Sequence, residues 1–179
     1  LNAAKNAKRS GAIISFDPNY RPLLWKNENR ARKEILGSLP LVDILKVSKE
    51  ELTLLTGQID IASGAAMLAT KGPSVVIVTL GSAGAFYHTQ EHEGFVPAYD
   101  VETLDTTGAG DAFLGALLYW MLTHRTLGPI ELSKEQWETA IVFANAAGSL
   151  TTTKWGAIPA LPTKEEIDSC IQSRNCKLY

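Results

Sequence analysis

Residues 105–113 read Asp-Thr-Thr-Gly-Ala-Gly-Asp-Ala-Phe and stand directly before an apolar run with helical spacing. The small residues Gly108, Ala109 and Gly110 allow the backbone N–H groups of a turn to approach an anion closely. The partial positive charge at the N-terminus of the following helix points to the same place. Asp111 lies at the rim of this predicted anion site, where its carboxylate could accept a hydroxyl proton. The stretch therefore favours phosphoryl transfer.

A purely structural interpretation of the same stretch is a helix N-terminus with Asp111 in its first turn. That interpretation requires one aspartate, and it leaves Asp105, both threonines and the Gly-Ala-Gly run unexplained. Other phosphate-binding motifs do not fit. The pattern G-x-G-x-x-G would need glycine at Phe113, and the chain contains no G-x-x-x-x-G-K-[ST] sequence.

Elsewhere along the chain, β-branched apolar runs alternate with amphipathic segments, which is typical of a parallel α/β fold. We predict three buried strands, at residues 12–16, 42–47 and 74–80. Helices are predicted at 27–39, 48–57, 61–70, 110–124, 134–151 and 164–173, and weaker antiparallel edge strands at 83–89 and 94–101.

Polar clusters follow the predicted strands at residues 17–21, 46–51, 79–84 and 105–111. In an open parallel sheet, ligands bind outside the carboxyl ends of the strands. We therefore expect these four segments to meet at one edge of the sheet.

The chain has 179 residues, of which 45% are hydrophobic and 20% are charged, and its net charge is −2. This composition indicates one globular domain with a sizeable core. Lysine and arginine form no basic stripe, which argues against nucleic acid as a partner. The longest apolar runs, at 75–80 and 115–122, are too short to cross a bilayer, so no membrane partner is expected.

The cysteines and histidines do not form a recognisable site. Cys170 and Cys176 lack C-x-x-C spacing, so neither a disulfide framework nor a zinc site is expected, and a reducing cytoplasm is the expected compartment. His88 and His92, each beside a glutamate, could bind a metal ion. A solvated hairpin tip fits their polar segment better.

Taken whole, residues 105–113 resemble the second signature of the ribokinase-like (PfkB) carbohydrate kinases, which phosphorylate a sugar hydroxyl with ATP. The resemblance implies a Rossmann-like ribokinase fold, in which helices flank a mainly parallel sheet. It implies that Asp111 is the catalytic base, and that the amides of Gly108, Ala109 and Gly110 form the anion hole for the transferring phosphoryl. ATP and Mg²⁺ are the implied cofactors.

Ser48-Lys-Glu-Glu51 resembles the N-x-x-E segment of the family, whose glutamate helps to organise magnesium and the phosphates. Ser48 stands where the family has asparagine. The implied role of the glutamate therefore applies to Glu51, whereas a direct contact of Ser48 with nucleotide is in doubt. The same four residues also match a helix capping box, S-x-x-E, and the pattern does not separate the two interpretations.

Two further segments resemble the nucleotide site of the family. Thr79, Gly81 and Gly84 follow the third strand, where small residues let the backbone approach ATP, although a plain turn would use the same glycines. Asn145 and Gly148, on the helix after the signature, match the adenine side of the family's site. Ordinary helix packing is the alternative explanation for Asn145 and Gly148.

Asp105 and the carbonyl of Thr107, with the loop at 151–157, resemble the monovalent-cation site that many family members use, so K⁺ is a further expected cofactor. The segment from Phe16 to Trp25 resembles the strand end of fructokinases and 2-keto-3-deoxygluconate kinases. It supplies Asp17, Asn19 and Arg21 as expected substrate or phosphate contacts. Arg21 could pair with a phosphate or with the carboxylate of a sugar acid.

Family chains are longer, and residues 1–179 correspond to the C-terminal nucleotide-binding and catalytic portion of a single ribokinase-like domain. Leu1, Ala4 and Ala7 have helical spacing, as in a helix already under way, without the features of a signal peptide. We expect the N-terminal part and a β-strand lid to be absent. The resemblance implies a homodimer formed through that lid in the full-length protein.

The sequence thus predicts an ATP-dependent kinase that phosphorylates a sugar hydroxyl, with fructose as the expected acceptor. Kinases for 2-keto-3-deoxygluconate, ribose or a nucleoside remain as alternatives. A non-catalytic nucleotide-binding fragment is the alternative from a different functional class.

Overall fold

The computed structural model describes residues 2–124 and 132–173, so that Leu1 of the predicted first helix and Cys176 lie outside the described residues. The helices are α1 Asn2–Arg9, α2 Glu28–Ser38, α3 Lys49–Thr56, α4 Ile61–Ala69, α5 Ala109–Thr123, α6 Lys134–Thr151 and α7 Lys164–Gln172. The strands are β1 Ser15–Phe16, β2 Ile44–Ser48, β3 Val75–Thr79, β4 Gly84–Thr89 and β5 Glu93–Pro97. Short 3₁₀ turns occupy Pro22–Leu24, Leu39–Leu41, Gly81–Ala83 and Ile158–Ala160.

The strands form one sheet in the order β1-β2-β3-β4-β5. β1 pairs parallel to β2, with Ser15 opposite Ile44, and β2 pairs parallel to β3, with Ile44 opposite Val75 and Ser48 opposite Thr79. The predicted α/β class with a mainly parallel sheet is confirmed. β2 and β3 are each buried at four of their five positions, Lys46 included, because parallel strands are covered on both faces.

All five strands are shorter than predicted, and the first and the last differ most, by three residues each. Residues 12–16 were expected to form a strand, yet β1 contains only Ser15 and Phe16, because the Asp43 side chain accepts from the Ile14 N–H at 2.9 Å in place of a ladder partner. The strand predicted at 94–101 ends at Pro97, although the Ala98 N–H still donates to the Ala83 carbonyl at 3.3 Å.

The chain divides into two compact units. Within the described residues, the first unit comprises residues 2–79 and 86–94, and the second comprises 80–85, 95–124 and 132–173. In the first unit α3 packs closely on α4, since a Cβ at Gly64 would lie 2.6 Å from the Leu52 side chain. In the second unit, fully buried Leu117, Trp137 and Ile141 form the core of the helices α5 and α6.

None of the described helices is by itself both long and apolar enough to cross a membrane. One bent pair, Lys49–Thr56 with Ile61–Ala69, meets those length and composition criteria when the two helices are taken together.

Candidate active site

The helix α5 begins differently from its neighbours. Side-chain oxygens of Asn27, Ser48, Asp60, Ser133 and Thr163 accept from backbone N–H groups at the starts of α2, α3, α4, α6 and α7. At α5 the N-cap is Gly108, which has no side chain to offer. The first N–H groups of a helix have no partner inside the helix. Those of α5 are therefore left for a ligand or for solvent.

Glycine is required at position 108 for two reasons. Its φ is +83°, in the left-handed region that L side chains rarely adopt. A Cβ there would also lie 3.0 Å from the Cβ of Ala157 and 3.2 Å from its Cα. The turn before α5 is thus packed tightly against the 156–157 backbone, which fixes the direction of its N–H groups.

The backbone hydrogen bonds refine the predicted anion hole. Ala109 N–H donates to the Thr106 carbonyl at 3.3 Å, so one of the three expected amides is engaged within the turn. Among the described residues, no acceptor is found for the N–H groups of Gly110 and Asp111. The amides left for an anion are therefore those of Gly108, Gly110 and Asp111.

Asp111 is exposed at the third position of α5, and its carboxylate accepts no hydrogen bond from any described residue. It caps nothing, because the N-cap is Gly108. Asp111 lines a mainly apolar groove of about 310 Å³, together with Tyr119 of α5, Phe143 of α6 and Ile167 of α7 among others. A free, solvent-accessible carboxylate beside a turn with unpaired N–H groups suits a proton acceptor.

Asp105 joins the turn to the loop after α6. Its Oδ1 accepts from the Thr107 hydroxyl at 2.6 Å and from the Thr107 N–H at 2.9 Å, and its Oδ2 accepts from the Gly156 N–H at 3.0 Å. The hydrogen bonds from Thr107 and then Gly156 hold the pKa of Asp105 below its usual range. The N–H groups of Leu104 and Asp105 both donate to the Thr152 carbonyl. Gly156 lies in the predicted 151–157 loop but was not singled out there, and its φ of +85° favours glycine.

These contacts bear on the expected cation site. Both carboxylate oxygens of Asp105 already accept hydrogen bonds. The Thr107 carbonyl oxygen accepts none from the described residues. Asp105 Oδ2, which accepts one hydrogen bond, and the Thr107 carbonyl oxygen thus both retain lone pairs that a cation could use. Among the described residues, no group of three His, Cys, Asp or Glu side chains could hold a metal ion, and His88 pairs with Glu93 at 3.1 Å in the hairpin.

The first unit carries a second polar site, a cleft of about 420 Å³. Its lining includes the predicted residues Asp17, Asn19, Arg21, Ser48 and Glu51. The strand order brings the carboxyl ends of β1 and β2 together here, as the sequence predicted for parallel strands.

Lys46 also lines this cleft, and the predicted site did not include it. Its Nζ lies 2.8 Å from Asp17 Oδ2, and the two side chains are only 8% and 13% exposed. A lysine inside the otherwise apolar strand Ile44–Ser48 was the feature of the sequence that could have identified it.

Glu51 holds two segments at once. Its Oε2 accepts from the Ser48 N–H at 2.8 Å, and the Ser48 hydroxyl accepts from the Glu51 N–H at 3.2 Å, so the capping box is present. In addition, Oε1 accepts from the Tyr20 N–H at 2.6 Å, which a capping box does not require. Glu51 is 8% exposed and lines the cleft, and each of its oxygens retains a further lone pair.

The predicted nucleotide turn contains one glycine with open space beside it and one that is tightly packed. Gly81 has φ +61°, and a Cβ there would meet nothing within 4 Å. Gly84 is confined, since its Cβ would lie 2.2 Å from the Val96 carbonyl oxygen. Thr79, in the first unit, donates its hydroxyl to the Val47 carbonyl at 3.4 Å. Backbone approach by a ligand is therefore open at Gly81.

Asn145 and Gly148 have packing contacts in the second unit. Asn145 is 5% exposed, and its Nδ2 donates to the carbonyls of Val96 and Pro97 at 2.9 and 3.1 Å. A Cβ at Gly148 would lie 3.3 Å from the Ala109 carbonyl oxygen, so glycine there allows α6 to approach α5. The helix-packing interpretation thus accounts for both residues.

Comparison with known proteins identifies the family of this chain. The family model described as pfkB family carbohydrate kinase matches residues 1–164. Fructokinase-1 of Oryza sativa subsp. japonica is 43% identical over 176 residues, which cover 97% of this chain and 53% of that protein. The chain therefore spans about half the length of the curated relatives that it matches.

Solved structures of kinases also resemble this chain. Aminoimidazole riboside kinase from Salmonella enterica, complexed with aminoimidazole riboside and an ATP analogue, superimposes with a TM-score of 0.82 at 34% identity, covering 96% of this chain and 56% of the other. A double mutant of the fructokinase from Vibrio cholerae O395, bound to fructose, ADP and potassium, gives a TM-score of 0.85 at 34% identity, covering 94% and 53%. With the uncapped α5 turn, these matches establish that the chain belongs to the pfkB family of carbohydrate kinases.

Proposed function

We propose that this chain supplies the nucleotide-binding and catalytic portion of an ATP-dependent kinase that phosphorylates a sugar hydroxyl, with fructose as the acceptor. The single observation that carries the proposal is the start of α5, where N–H groups without an acceptor stand beside the free carboxylate of Asp111. The fructokinase names of the relatives support the choice of sugar.

In the proposed reaction, the Asp111 carboxylate accepts the proton of the sugar hydroxyl as that oxygen bonds to the γ-phosphorus of ATP. The bond from phosphorus to the bridging oxygen breaks, and ADP leaves with the electron pair. Negative charge on the phosphoryl oxygens is met by the N–H groups of Gly108, Gly110 and Asp111 and by the N-terminus of α5. These groups are fixed before substrate arrives, so they stabilise that charge without reorganising.

Magnesium fits the first unit through Glu51. Because both Glu51 oxygens already accept a backbone N–H, we infer that its remaining lone pairs hold a metal-bound water rather than the ion itself. Mg²⁺ usually keeps several waters when proteins bind it. The ion when bound neutralises phosphate charge. Ser48 positions Glu51 through the capping box, and Gly81 gives a ligand access to the backbone.

The other expected contacts form part of the same proposal. Asp17, Asn19 and Arg21 would contact substrate or phosphate in the cleft of the first unit, and Thr79, Asn145 and Gly148 would shape the nucleotide site. K⁺ would use the Thr107 carbonyl, with Asp105 contributing negative charge nearby. We also propose a cytoplasmic homodimer that binds no nucleic acid and no membrane.

A substrate panel tests the proposal. The full-length protein is assayed with MgATP and fructose, ribose, 2-keto-3-deoxygluconate or aminoimidazole riboside, and ADP release is measured for each. We expect fructose to give the highest kcat/KM. Preference for the riboside, which the Salmonella enterica structure contains, would replace the sugar assignment. ATP binding without phosphorylation of any acceptor would favour the non-catalytic nucleotide-binding alternative.

A further inference from the structure

Burial of the ion pair between Lys46 and Asp17 carries a large desolvation free energy. Lys46 Nζ and Asp17 Oδ2 are 2.8 Å apart, in side chains that are 8% and 13% exposed. The desolvation of two buried charges commonly cancels their attraction, and apolar replacements of similar volume are often neutral or stabilising. Fold stability therefore gives no reason for a lysine in the middle of β2.

Asp17 uses its other oxygen to shape the turn that follows β1. Its Oδ1 accepts from the Asn19 N–H at 3.1 Å, and Asn19 has φ +44°, in the left-handed region. Asparagine tolerates that conformation better than most residues, but an ordered turn still has to hold it there. The Lys46 ammonium fixes the carboxylate that holds Asn19.

The same turn is fixed from the other side by Glu51, which accepts from the Tyr20 N–H at 2.6 Å. Lys46 in the middle of β2 and Glu51 at the start of α3 thus anchor consecutive parts of the 17–21 turn. Both anchors come from a short stretch of one strand and one helix.

The residue that this turn presents is Arg21. Its only hydrogen bond to the described residues is a long one, 3.4 Å from Nη1 to the Tyr20 carbonyl, and no carboxylate among them lies within ion-pair distance. Arg21 lines the cleft. With Lys46 neutralised by Asp17, Arg21 is the available cation in the described lining, and a guanidinium suits the oxygens of a phosphate or a carboxylate.

We propose that Lys46 is a positioning residue, whose ion pair with Asp17 holds the 17–21 turn so that Arg21 faces an anionic group of the substrate. This inference rests on the proposed kinase function. The anionic group belongs either to the nucleotide phosphates or to an acid sugar, and the chemistry of recognition is the same for both.

The test uses Lys46→Met, Arg21→Met and the double variant in the full-length protein, with Lys8→Met as the matched control. Lys8 pairs with Asp43 at 3.0 Å in the same unit, but that pair is exposed and lies outside the cleft lining. We expect Lys46→Met to lower kcat/KM by about 10- to 100-fold, since small displacements of a positioned group have effects of that size. The double variant should be no worse than Arg21→Met alone. Lys8→Met should leave kcat/KM unchanged.

Two measurements separate positioning from a general loss of fold. Lys46→Met leaves the Asp17 carboxylate buried without its partner, so the melting temperature should fall, and the kinetics are compared at a temperature at which parent and variant are both fully folded. Hydrogen exchange of the amides in 17–21 should speed up. Independent, multiplicative effects of the two substitutions on kcat/KM, or unchanged exchange in 17–21, would overturn the proposal.

The KM values of these variants also identify the source of the anionic group. A rise in KM for MgATP with every acceptor points to the nucleotide, and a rise only with 2-keto-3-deoxygluconate points to the acid sugar. If the parent protein phosphorylates nothing, the proposed function fails, and hydrogen exchange in 17–21 still decides whether Lys46 orders the turn.

Discussion

Asp105 Oδ2 accepts a hydrogen bond from the Gly156 N–H at 3.0 Å, across 51 residues of sequence. The other oxygen of Asp105 accepts from Thr107, so one carboxylate fixes both the turn before α5 and the loop after α6. Ala157 then packs against Gly108, where a Cβ would be 3.0 Å away. The direction of the free amides at the start of α5 therefore depends on Asp105.

We expect Asp105→Asn to lower kcat/KM by roughly 10- to 100-fold, because misplacement of a positioned group by about 1 Å has effects of that size. An asparagine offers one acceptor oxygen, so its NH₂ group would face either Thr107 N–H or Gly156 N–H, donor against donor. Steady-state kinetics with MgATP and fructose measure the loss. Asp100→Asn is the matched control, since Asp100 is exposed and makes no described side-chain contact. Equal activity in both variants would remove Asp105 from the site.

Asp111→Asn should lower turnover by ~10²–10⁴-fold, because the amide cannot accept the hydroxyl proton. The melting temperature should not change, since the Asp111 carboxylate accepts no hydrogen bond from the described residues and caps no helix. Single-turnover phosphorylation with calorimetric melting checks both expectations. Near-normal turnover in this variant would contradict the role of Asp111 as base.

Glu51→Gln should raise the magnesium concentration needed for half-maximal activity and should also lower the free energy of unfolding by ~1–3 kcal/mol. Glutamine would satisfy a capping box, but here both Glu51 oxygens accept backbone N–H groups, from Tyr20 and Ser48. Glutamine leaves one of these buried donors facing an NH₂ group.

The matched control for Glu51→Gln is Ser133→Ala, which removes the capping box at α6 and should cost ~1 kcal/mol without changing the magnesium titration. Denaturant unfolding and activity against magnesium concentration measure the two effects. If Glu51→Gln lowers stability while the magnesium titration stays the same, Glu51 acts only in the fold.

Most of the helices were predictable, because their ends carry local chemical information. α6 begins and ends where predicted, at Lys134 and Thr151, after the capping box of Ser133 and Gln136. α3 ends at the predicted Gly57, whose φ of +75° closes the helix. The signature turn was found for the same reason, since its glycines and Asp111 are contiguous in sequence.

The remaining features depend on contacts between distant residues, which one sequence does not encode locally. Asn145 donates to Val96 and Pro97, 49 and 48 residues away, so its buried amide could not be separated from a nucleotide contact. β1 is short because the Asp43 side chain replaces a strand partner. The pairing of Lys46 with Asp17 likewise appears only once β1 and β2 are adjacent.

Stability should fall in acid partly through Glu166. The Thr163 N–H, and then Lys154, hold the pKa of Glu166 below its usual range. A carboxyl with a lowered folded-state pKa stabilises the protein at pH values above its unfolded pKa, about 4.3 for glutamate. That stabilisation is lost as the pH falls through the lowered folded pKa. The difference in melting temperature between the parent and Glu166→Gln should therefore shrink on acidification below about pH 4. A difference that is independent of pH would contradict this.

Asn145→Ala should lower the free energy of unfolding by ~1–3 kcal/mol, because it removes the amide that donates to the carbonyls of Val96 and Pro97. Asn145→Asp should be worse, since it places an acceptor against the same two acceptors in a site where Asn145 is 5% exposed. Denaturant unfolding measures both changes, and calorimetry with an ATP analogue measures nucleotide affinity. If Asn145 serves only packing, the apparent affinity for the ATP analogue should fall in proportion to the fraction of folded protein. It should equal that of the parent at low temperature, where the variant is folded. Unchanged stability with lost nucleotide affinity in Asn145→Ala would instead place this amide in the nucleotide site.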